Sequence, residues 1–236
     1  MEVKETEARD RAEVDVNGQR FDLRDFVVSG RDVLTASGHV PASGFLLILA
    51  RRGRTRLIGP DDKIDMREER GAIFRASPGD QAYTFTLDEV GQVWGAEAIE
   101  VTELLALWPV AEGRELVLER GSEPDVVLRE GGVVSFAPGG VEHIVSRPKR
   151  PDRFVLVSVF ATAGVFPAEG ALRVKVSTPV SEVIARAAKA LGVVPGTDWI
   201  VTAGERDINP GLTFEQNGLS GTVELGWGPR EGGGGA

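Results

Sequence analysis

The sequence has no cysteine in its 236 residues. Without a thiol the chain cannot supply a thiolate nucleophile, a disulfide framework or a cysteine-ligated metal, and it cannot itself carry a thioester. Histidine is almost as scarce, with His39 and His143 the two imidazoles. Neither has a second histidine nearby or a carboxylate at helical ligand spacing, so no zinc scaffold is visible and both read as surface or turn residues. The pair Asp61-Asp62 lacks companion carboxylates at loop-ligand spacing and reads as a solvated turn. Positive charge is short as well. The formal net charge is -9, and the basic runs Arg51-Arg52-Gly53-Arg54 and Lys149-Arg150 each fall at a turn. That leaves none of the clustered Lys and Arg that counterion release on nucleic acid requires. No apolar run approaches membrane-spanning length, and Met1 to Arg11 is mostly charged, unlike a signal peptide. These absences predict a soluble cytoplasmic protein with no catalytic residue, metal or cofactor, no nucleic-acid or membrane partner, and a disordered segment at residues 1–11.

What is present is repetition. The stretches Val14 to Ala76 and Thr86 to Arg147 follow one plan, about seventy residues long. Val16-Asn17-Gly18-Gln19 opens the first and Glu89-Val90-Gly91-Gln92 the second, each a glycine turn between short alternating segments, which is hairpin chemistry. Ser29 then precedes Arg31 to Ala36, and Thr102 precedes Glu103 to Leu107. Both hydroxyls read as N-caps of short helices, stopped by Gly38 and Pro109. Phe45-Leu46-Leu47-Ile48-Leu49 and Leu116-Val117-Leu118 follow as strands, and further strand-like segments close each repeat.

A third stretch runs from Arg153 to Arg230. Phe154 to Ala161 is rich in β-branched and aromatic residues, and Leu172, Val174 and Val176 alternate with polar neighbours as in a half-buried strand. Thr178 reads as the cap of a longer helix with Pro179 in its first position. Val180, Val183, Ile184, Ala187 and Leu191 fall on one face before Gly192 ends it. That stripe must pack on a sheet, which Trp199 to Thr202 and the alternation of Val223, Leu225 and Trp227 complete. The tryptophans Trp94, Trp108 and Trp227 read as core. The predicted fold is α+β, three tandem β-grasp domains at 12–78, 82–147 and 153–230 followed by a flexible Gly-rich tail at 231–236. Ser77 to Asp80 and Pro148 to Pro151 read as linkers.

The third repeat resembles ubiquitin. Trp199-Ile200-Val201-Thr202-Ala203-Gly204-Glu205 is similar to its third strand and following turn, Asn209 to Leu219 to its long loop, and Thr222 to Arg230 to its last strand. Glu231-Gly232-Gly233-Gly234-Gly235-Ala236 takes the place of its diglycine end. The first two repeats resemble bacterial multiubiquitin-type β-grasp repeats less closely, and the array is similar to the ubiquitin-like modifiers of antiphage operons. The resemblance implies covalent attachment to target proteins, phage structural proteins among them. It also implies three partners: an E1-like activating enzyme, an E2-like conjugating enzyme and a processing or deconjugating peptidase. It assigns Thr162, Val201, Glu224 and Gly226 to the interaction surface. Only Val201 among these offers a sizeable apolar group, so ordinary ubiquitin readers should bind poorly.

Glycine suits the tail for a physical reason. Lacking Cβ, it lets enzyme walls close on an extended backbone, and its acyl carbon has no side chain to hinder a thiolate or amine. On this reading the conjugation terminus is Gly235, freed by cleavage of Gly235-Ala236, while Arg230, Glu231, Gly232, Gly233 and Gly234 are recognised; cleavage after Gly233 is the variant. Glycine-rich ends are also commonly flexible and functionless. Alternatives are a non-covalent scaffold using strand edges, a sulfur carrier, and a polyprotein. The tandem array and Ala236 count against the sulfur carrier, and the lack of a free diglycine at either junction counts against the polyprotein.

Overall fold

The structure, a computed structural model of the chain, describes residues 12–121, 123–136, 140–149 and 153–230. The predicted disordered segment 1–11 and tail 231–236 lie outside the described residues. The chain is mostly β-sheet with three α-helices among the described residues, a ubiquitin-like α+β fold. It divides into two compact units. One comprises Met1–Ile99, Ala106–Pro109 and Ser135–His143, and the other Glu100–Leu105, Val110–Val134 and Ile144–Ala236. The second repeat is therefore shared between the units and does not form one of its own.

In the first unit the chain forms β1 (Ala12–Val16), β2 (Gln19–Leu23), β3 (Val27–Ser29), α1 (Gly30–Ala36), β4 (Phe45–Arg51), β5 (Arg54–Ile58), β6 (Lys63–Asp65) and β7 (Ile73–Pro78). The sheet order is β2-β1-β7-β4-β5, with β1 and β7 parallel. This is the β-grasp order. Asn17 and Gly18 take positive φ of 54° and 78°, the two left-handed residues that a tight hairpin turn demands. The Asn17 amide also donates to Ala76 C=O at 2.9 Å and accepts from Ala76 N–H at 3.0 Å, tying the hairpin to β7. Val14, Val16, Leu47, Leu49 and Phe74 bury one face of the sheet with Val33 and Leu34 of α1.

Ser29 caps α1 as predicted. Its Oγ accepts from Asp32 N–H at 3.2 Å, and the Asp32 carboxylate accepts from Ser29 N–H at 2.7 Å, a reciprocal capping box. The hydrogen bonds from the Ser29 hydroxyl and then its N–H hold the Asp32 carboxyl below its ordinary value. Stability from this box is thus present above the unfolded-state pKa and is lost as pH falls through the lower folded one.

Strand β4 departs from alternation, since Leu47, Ile48, Leu49 and Ala50 are all buried. In the same unit the second repeat opens with β8 (Tyr83–Leu87) and β9 (Val90–Trp94). The buried Gln92 joins β9 to β5. Its Oε1 accepts from Thr55 N–H at 2.9 Å and Thr55 Oγ1 at 3.0 Å, and its Nε2 donates to Gly53 C=O at 3.1 Å. Thr55 Oγ1 accepts in turn from Val93 N–H at 2.8 Å, and Trp108 Nε1 donates to Gly53 C=O at 2.9 Å. Ser77 Oγ donates to Gly95 C=O at 2.7 Å, and a Cβ on Gly95 would lie 2.2 Å from that hydroxyl oxygen. The segment around Ser77 is therefore packed, not a loose linker.

The chain continues through β10 (Ala98–Glu100), α2 (Val101–Leu107), β11 (Arg114–Leu118), β12 (Val126–Leu128), β13 (Val133–Ser135) and β14 (Glu142–Pro148). The third repeat adds β15 (Phe154–Ala161), β16 (Gly164–Phe166), β17 (Gly170–Lys175), α3 (Val180–Leu191), β18 (Trp199–Ala203), β19 (Arg206–Ile208) and β20 (Thr222–Pro229). Two predicted caps are corrected. Thr102 lies inside the first turn of α2, because the helix starts one residue earlier at Val101, whose N–H donates to Gly132 C=O at 2.8 Å. Thr178 does not cap α3: the cap position is Pro179, without a side-chain bond. Loop carbonyls do that work, Leu212 C=O accepting from Val180 N–H at 3.0 Å and Pro210 C=O from Ser181 N–H at 2.8 Å. Gly192 ends α3 at φ 65°, as predicted.

In the second unit the strands run β19-β18-β20-β15-β17-β12-β11-β14 in one sheet, with β16 beside β15. The third repeat is thus bonded directly to the second. Val126, Val127 and Leu128 face Leu172, Ala171 and Gly170 across an antiparallel ladder. A local irregularity makes room for this. Val159 lies opposite Phe166 and Val157 opposite Leu172, so while β15 moves two residues its partner moves six, leaving four extra. The extra residues dock on the second repeat: Ala168 C=O accepts from Val133 N–H at 3.1 Å and Glu169 C=O from Arg129 N–H at 3.4 Å, while the Glu169 carboxylate pairs with Arg120. Behind the ladder Arg173 and Glu115 approach to 3.7 Å with side chains 9% and 11% exposed.

Backbone meets backbone so closely here that glycine is required. A Cβ on Gly170 would lie 2.3 Å from Val127 C=O, and one on Gly132 would lie 2.2 Å from Glu169 C=O, whereas Gly228 has nothing within 4 Å. Gly170→Ala is expected to destabilise the protein by about 2 kcal/mol or more, the range for forced close contacts, with Gly228→Ala within about 0.5 kcal/mol of the parent; urea unfolding measures both, and equal midpoints would refute the close approach. Gln92→Leu is expected to cost about 1 kcal/mol, because the half-buried Thr55 N–H loses its acceptor while Gly53 C=O keeps Trp108 Nε1 and Thr55 Oγ1 keeps Val93 N–H. Thermal unfolding reads that loss directly.

Candidate interaction face and tail root

Strand β20 alternates in the manner of a sheet with one covered face. Val223, Leu225 and Trp227 are buried, so Thr222, Glu224, Gly226 and Gly228 occupy the opposite face. The same rule sets Val155, Val157 and Val159 of β15 inward and Leu156, Ser158 and Phe160 outward. Trp227 meets Trp199 edge to face, ring centroids 4.7 Å apart, closing the covered side where α3 contributes Val180, Val183 and Ala187.

Registers identify the neighbours on the outer face. Phe160 pairs with Val165 of β16 and with Gly226 of β20. Gly226 pairs with Thr202 of β18, and Thr202 with Asp207 of β19. One cross-strand row therefore reads Val165, Phe160, Gly226, Thr202, Asp207. The next holds Ile200 opposite Gly228. Phe160 and Val165 are 44% and 41% exposed. A Cβ on Gly226 would meet Thr202 Oγ1 at 2.6 Å, so the threonine leans over that glycine, and Gly228 is bare.

Against this geometry the four predicted surface residues separate. Glu224 and Gly226 lie on the outer face, and Thr162 is exposed in the turn between β15 and β16. Val201 does not belong with them. It is 4% exposed and pairs with the buried Trp227, because β18 turns Ile200 and Thr202 outward and Val201 into the core. In the cross-strand row on this face the exposed large apolar groups are Phe160 and Val165, which the resemblance did not indicate. The alternation in Phe154 to Ala161 carried the signal: once Val155, Val157 and Val159 are inward, Phe160 is outward.

Of the predicted tail residues, Arg230 is described. Its N–H donates to Asp198 C=O at 3.2 Å and its guanidinium pairs with Asp207 at 2.8 Å, with side chains 64% and 58% exposed. Glu231, Gly232, Gly233, Gly234, Gly235 and Ala236 lie outside the described residues. Among the described residues no group of three or more His, Asp or Glu could hold a metal ion, and no helix is long and apolar enough to cross a membrane. A cleft of about 690 Å³ in the second unit is lined by Phe154, Arg173, Lys175, Thr178, Glu182 and Arg186 among others. Its charges are of both signs, and among the described residues its lining holds no Ser, Cys or His. His39 Nδ1 lies 2.9 Å from Ser37 Oγ, and His143 Nδ1 lies 2.9 Å from Thr86 Oγ1; neither faces a carboxylate partner in those bonds.

Comparison with known proteins places the first repeat. Residues 12–77 match the Multiubiquitin family model. No curated protein matches the chain. The matched segment coincides with the sheet β2-β1-β7-β4-β5 and its helix α1, and the chain is a ubiquitin-like protein with β-grasp character.

The geometry at Arg230 separates two ways of holding the tail root. An exposed ion pair contributes little, about 0–1 kcal/mol, whereas the Arg230 N–H bond extends the β18–β20 ladder. Asp207→Asn is accordingly expected to leave the melting temperature within about 2 °C and the Arg230 amide still protected from hydrogen exchange. A fully exposed amide in that variant would show that the ion pair alone fixes the root.

Proposed function

We propose that the chain is a protein modifier of three tandem β-grasp domains, conjugated to target proteins through its glycine tail. The feature that carries this reading is one of sequence: Arg230, Glu231 and the four glycines Gly232, Gly233, Gly234 and Gly235 follow within six residues of Pro229, where β20 ends. The Multiubiquitin match at residues 12–77 supports the ubiquitin-like part. In the proposed sequence a peptidase cleaves Gly235-Ala236 and frees the Gly235 carboxylate. An E1-like enzyme adenylates that carboxylate with ATP, releasing pyrophosphate, and an enzyme cysteine displaces AMP to form a thioester. The acyl group passes to a cysteine of an E2-like enzyme and then to an acceptor amine on the target. This chain has no cysteine, so every thiolate belongs to a partner and the protein acts as substrate, not enzyme. The setting is cytoplasmic, and antiphage defence with phage structural proteins among the targets is the biological context proposed.

A second reading, a non-covalent scaffold, draws support from β2, which ends its sheet with one edge unpaired among the described residues and could accept an added strand. Intact-mass measurement with the processing peptidase, E1-like and E2-like enzymes and ATP decides between them. The modifier is expected to lose the mass of Ala236 and then form target adducts, and Gly235→Ala to reduce adduct formation about a hundredfold or more, the scale of losses when a reacting centre is misplaced. Unchanged mass with all partners present, or adducts indifferent to Gly235→Ala, would leave the scaffold reading standing instead.

A further inference from the structure

Among the described residues β2 and β19 each end a sheet, and strands of their two kinds are joined to each other elsewhere in the chain. In every repeat a second hairpin strand pairs with the first: β2 with β1, β9 with β8, β17 with β15. In every repeat a later strand also folds back antiparallel on the one before it: β5 on β4, β12 on β11, β19 on β18. Within the first unit β5 lies against β9 through Thr55, Gln92 and Val93. Within the second, β12 is laddered to β17. Each junction thus sets the fold-back strand of one repeat beside the hairpin strand of the next. The first repeat's hairpin strand and the third repeat's fold-back strand are left without that neighbour.

We propose that β2 of one copy of this chain pairs with β19 of a second copy, so that the array continues from molecule to molecule. The inference does not depend on the glycine tail. A bare edge presents backbone groups that another strand can satisfy, and the two hairpin turns fix which groups these are. Asn17 and Gly18 separate the paired Val16 and Gln19, as Gly204 and Glu205 separate the paired Ala203 and Arg206. The pair flanking a two-residue turn exchanges both ladder bonds, and the next residue along an antiparallel strand turns its N–H and C=O away. Arg20, Asp22 and Asp207 accordingly direct their backbone groups to the open edges, and all three residues are exposed. Antiparallel pairing, as between β12 and β17, sets Asp207 opposite either Arg20 or Asp22. Opposite charges favour the first and like charges disfavour the second, so the register is Arg20 against Asp207. Because β2 and β19 are different surfaces, the contact is head to tail, and a joined pair keeps one edge of each kind for a further copy.

Sedimentation velocity on the full chain tests this at concentrations up to about 1 mM, the order of effective concentration that a short linker gives joined units. The mean mass is expected to rise with concentration above that of one chain, and the Arg20 and Asp207 amides to gain protection from hydrogen exchange with it. Arg20→Asp and Asp207→Arg each change an exposed side chain, and circular dichroism verifies that both keep the fold. Each is expected to weaken association about fivefold or more. An equimolar mixture of the two variants is expected to recover it, because the altered β2 of one meets the altered β19 of the other with opposite charges. A parent that keeps the mass of one chain throughout overturns the proposal. Assembly that survives Asp207→Arg, whether through β2 against β2 or through another face, overturns it too, as does a mixture that fails to recover.

Discussion

An unpaired strand edge presents a row of N–H and C=O groups that must find water or another strand, and the way edges are covered organises this molecule. Within the first unit the edge strand β5 meets β9, the second strand of the next hairpin. Within the second unit β12 meets β17, again the second hairpin strand of the repeat that follows. The two contacts solve one problem with different chemistry. At β9 the amide of Gln92 stands in for a ladder, accepting from Thr55 N–H and sharing Gly53 C=O with Trp108 Nε1. At β17 the backbones pair directly. That pairing explains the four-residue detour before Gly170, the glycines at 132 and 170, and the unrelieved apolar character of Val126-Val127-Leu128.

How far these features can be read from sequence depends on the range of the interaction that produces them. The Asn17-Gly18 turn, the Ser29 cap and the stripe on α3 are set by residues within a few positions of one another, and the structure contains them as read. Thr178 and Thr102 have the right residue type for caps, but backbone carbonyls from Leu212, Pro210 and Gly132 reach those helix starts first. Sequence pattern cannot see such a long-range acceptor. Val201 is buried for a different reason. The similarity across Trp199 to Glu205 concerns residue types, while the direction of a side chain follows from pleat and partner, here Trp227. Turn-forming residues at Ser77 to Asp80 and Pro148 to Pro151 read as linkers from sequence. A non-alternating apolar run such as Phe45 to Ala50 signals something else, a strand covered on both faces, since a strand with one wet face has no use for consecutive buried positions.

The same edge pairing limits what can be taken from the chain and studied alone. Residues 153–230 hold the strands that resemble ubiquitin, but isolating them would uncover the β17 ladder, leave Glu169 without Arg120, and strip Arg173 of Glu115. Any tail chemistry is thus carried on a body in which the second and third repeats share hydrogen bonds.

Arg230 sets a length. Its amide is fixed to Asp198, and on the proposed modifier reading five residues, a span of about 17 Å at most, separate that bond from the acyl donor Gly235. Releasing the bond would lengthen the tether and, as for any two linked groups, dilute the donor at the enzyme that takes it. In that reading one backbone hydrogen bond sets an effective concentration.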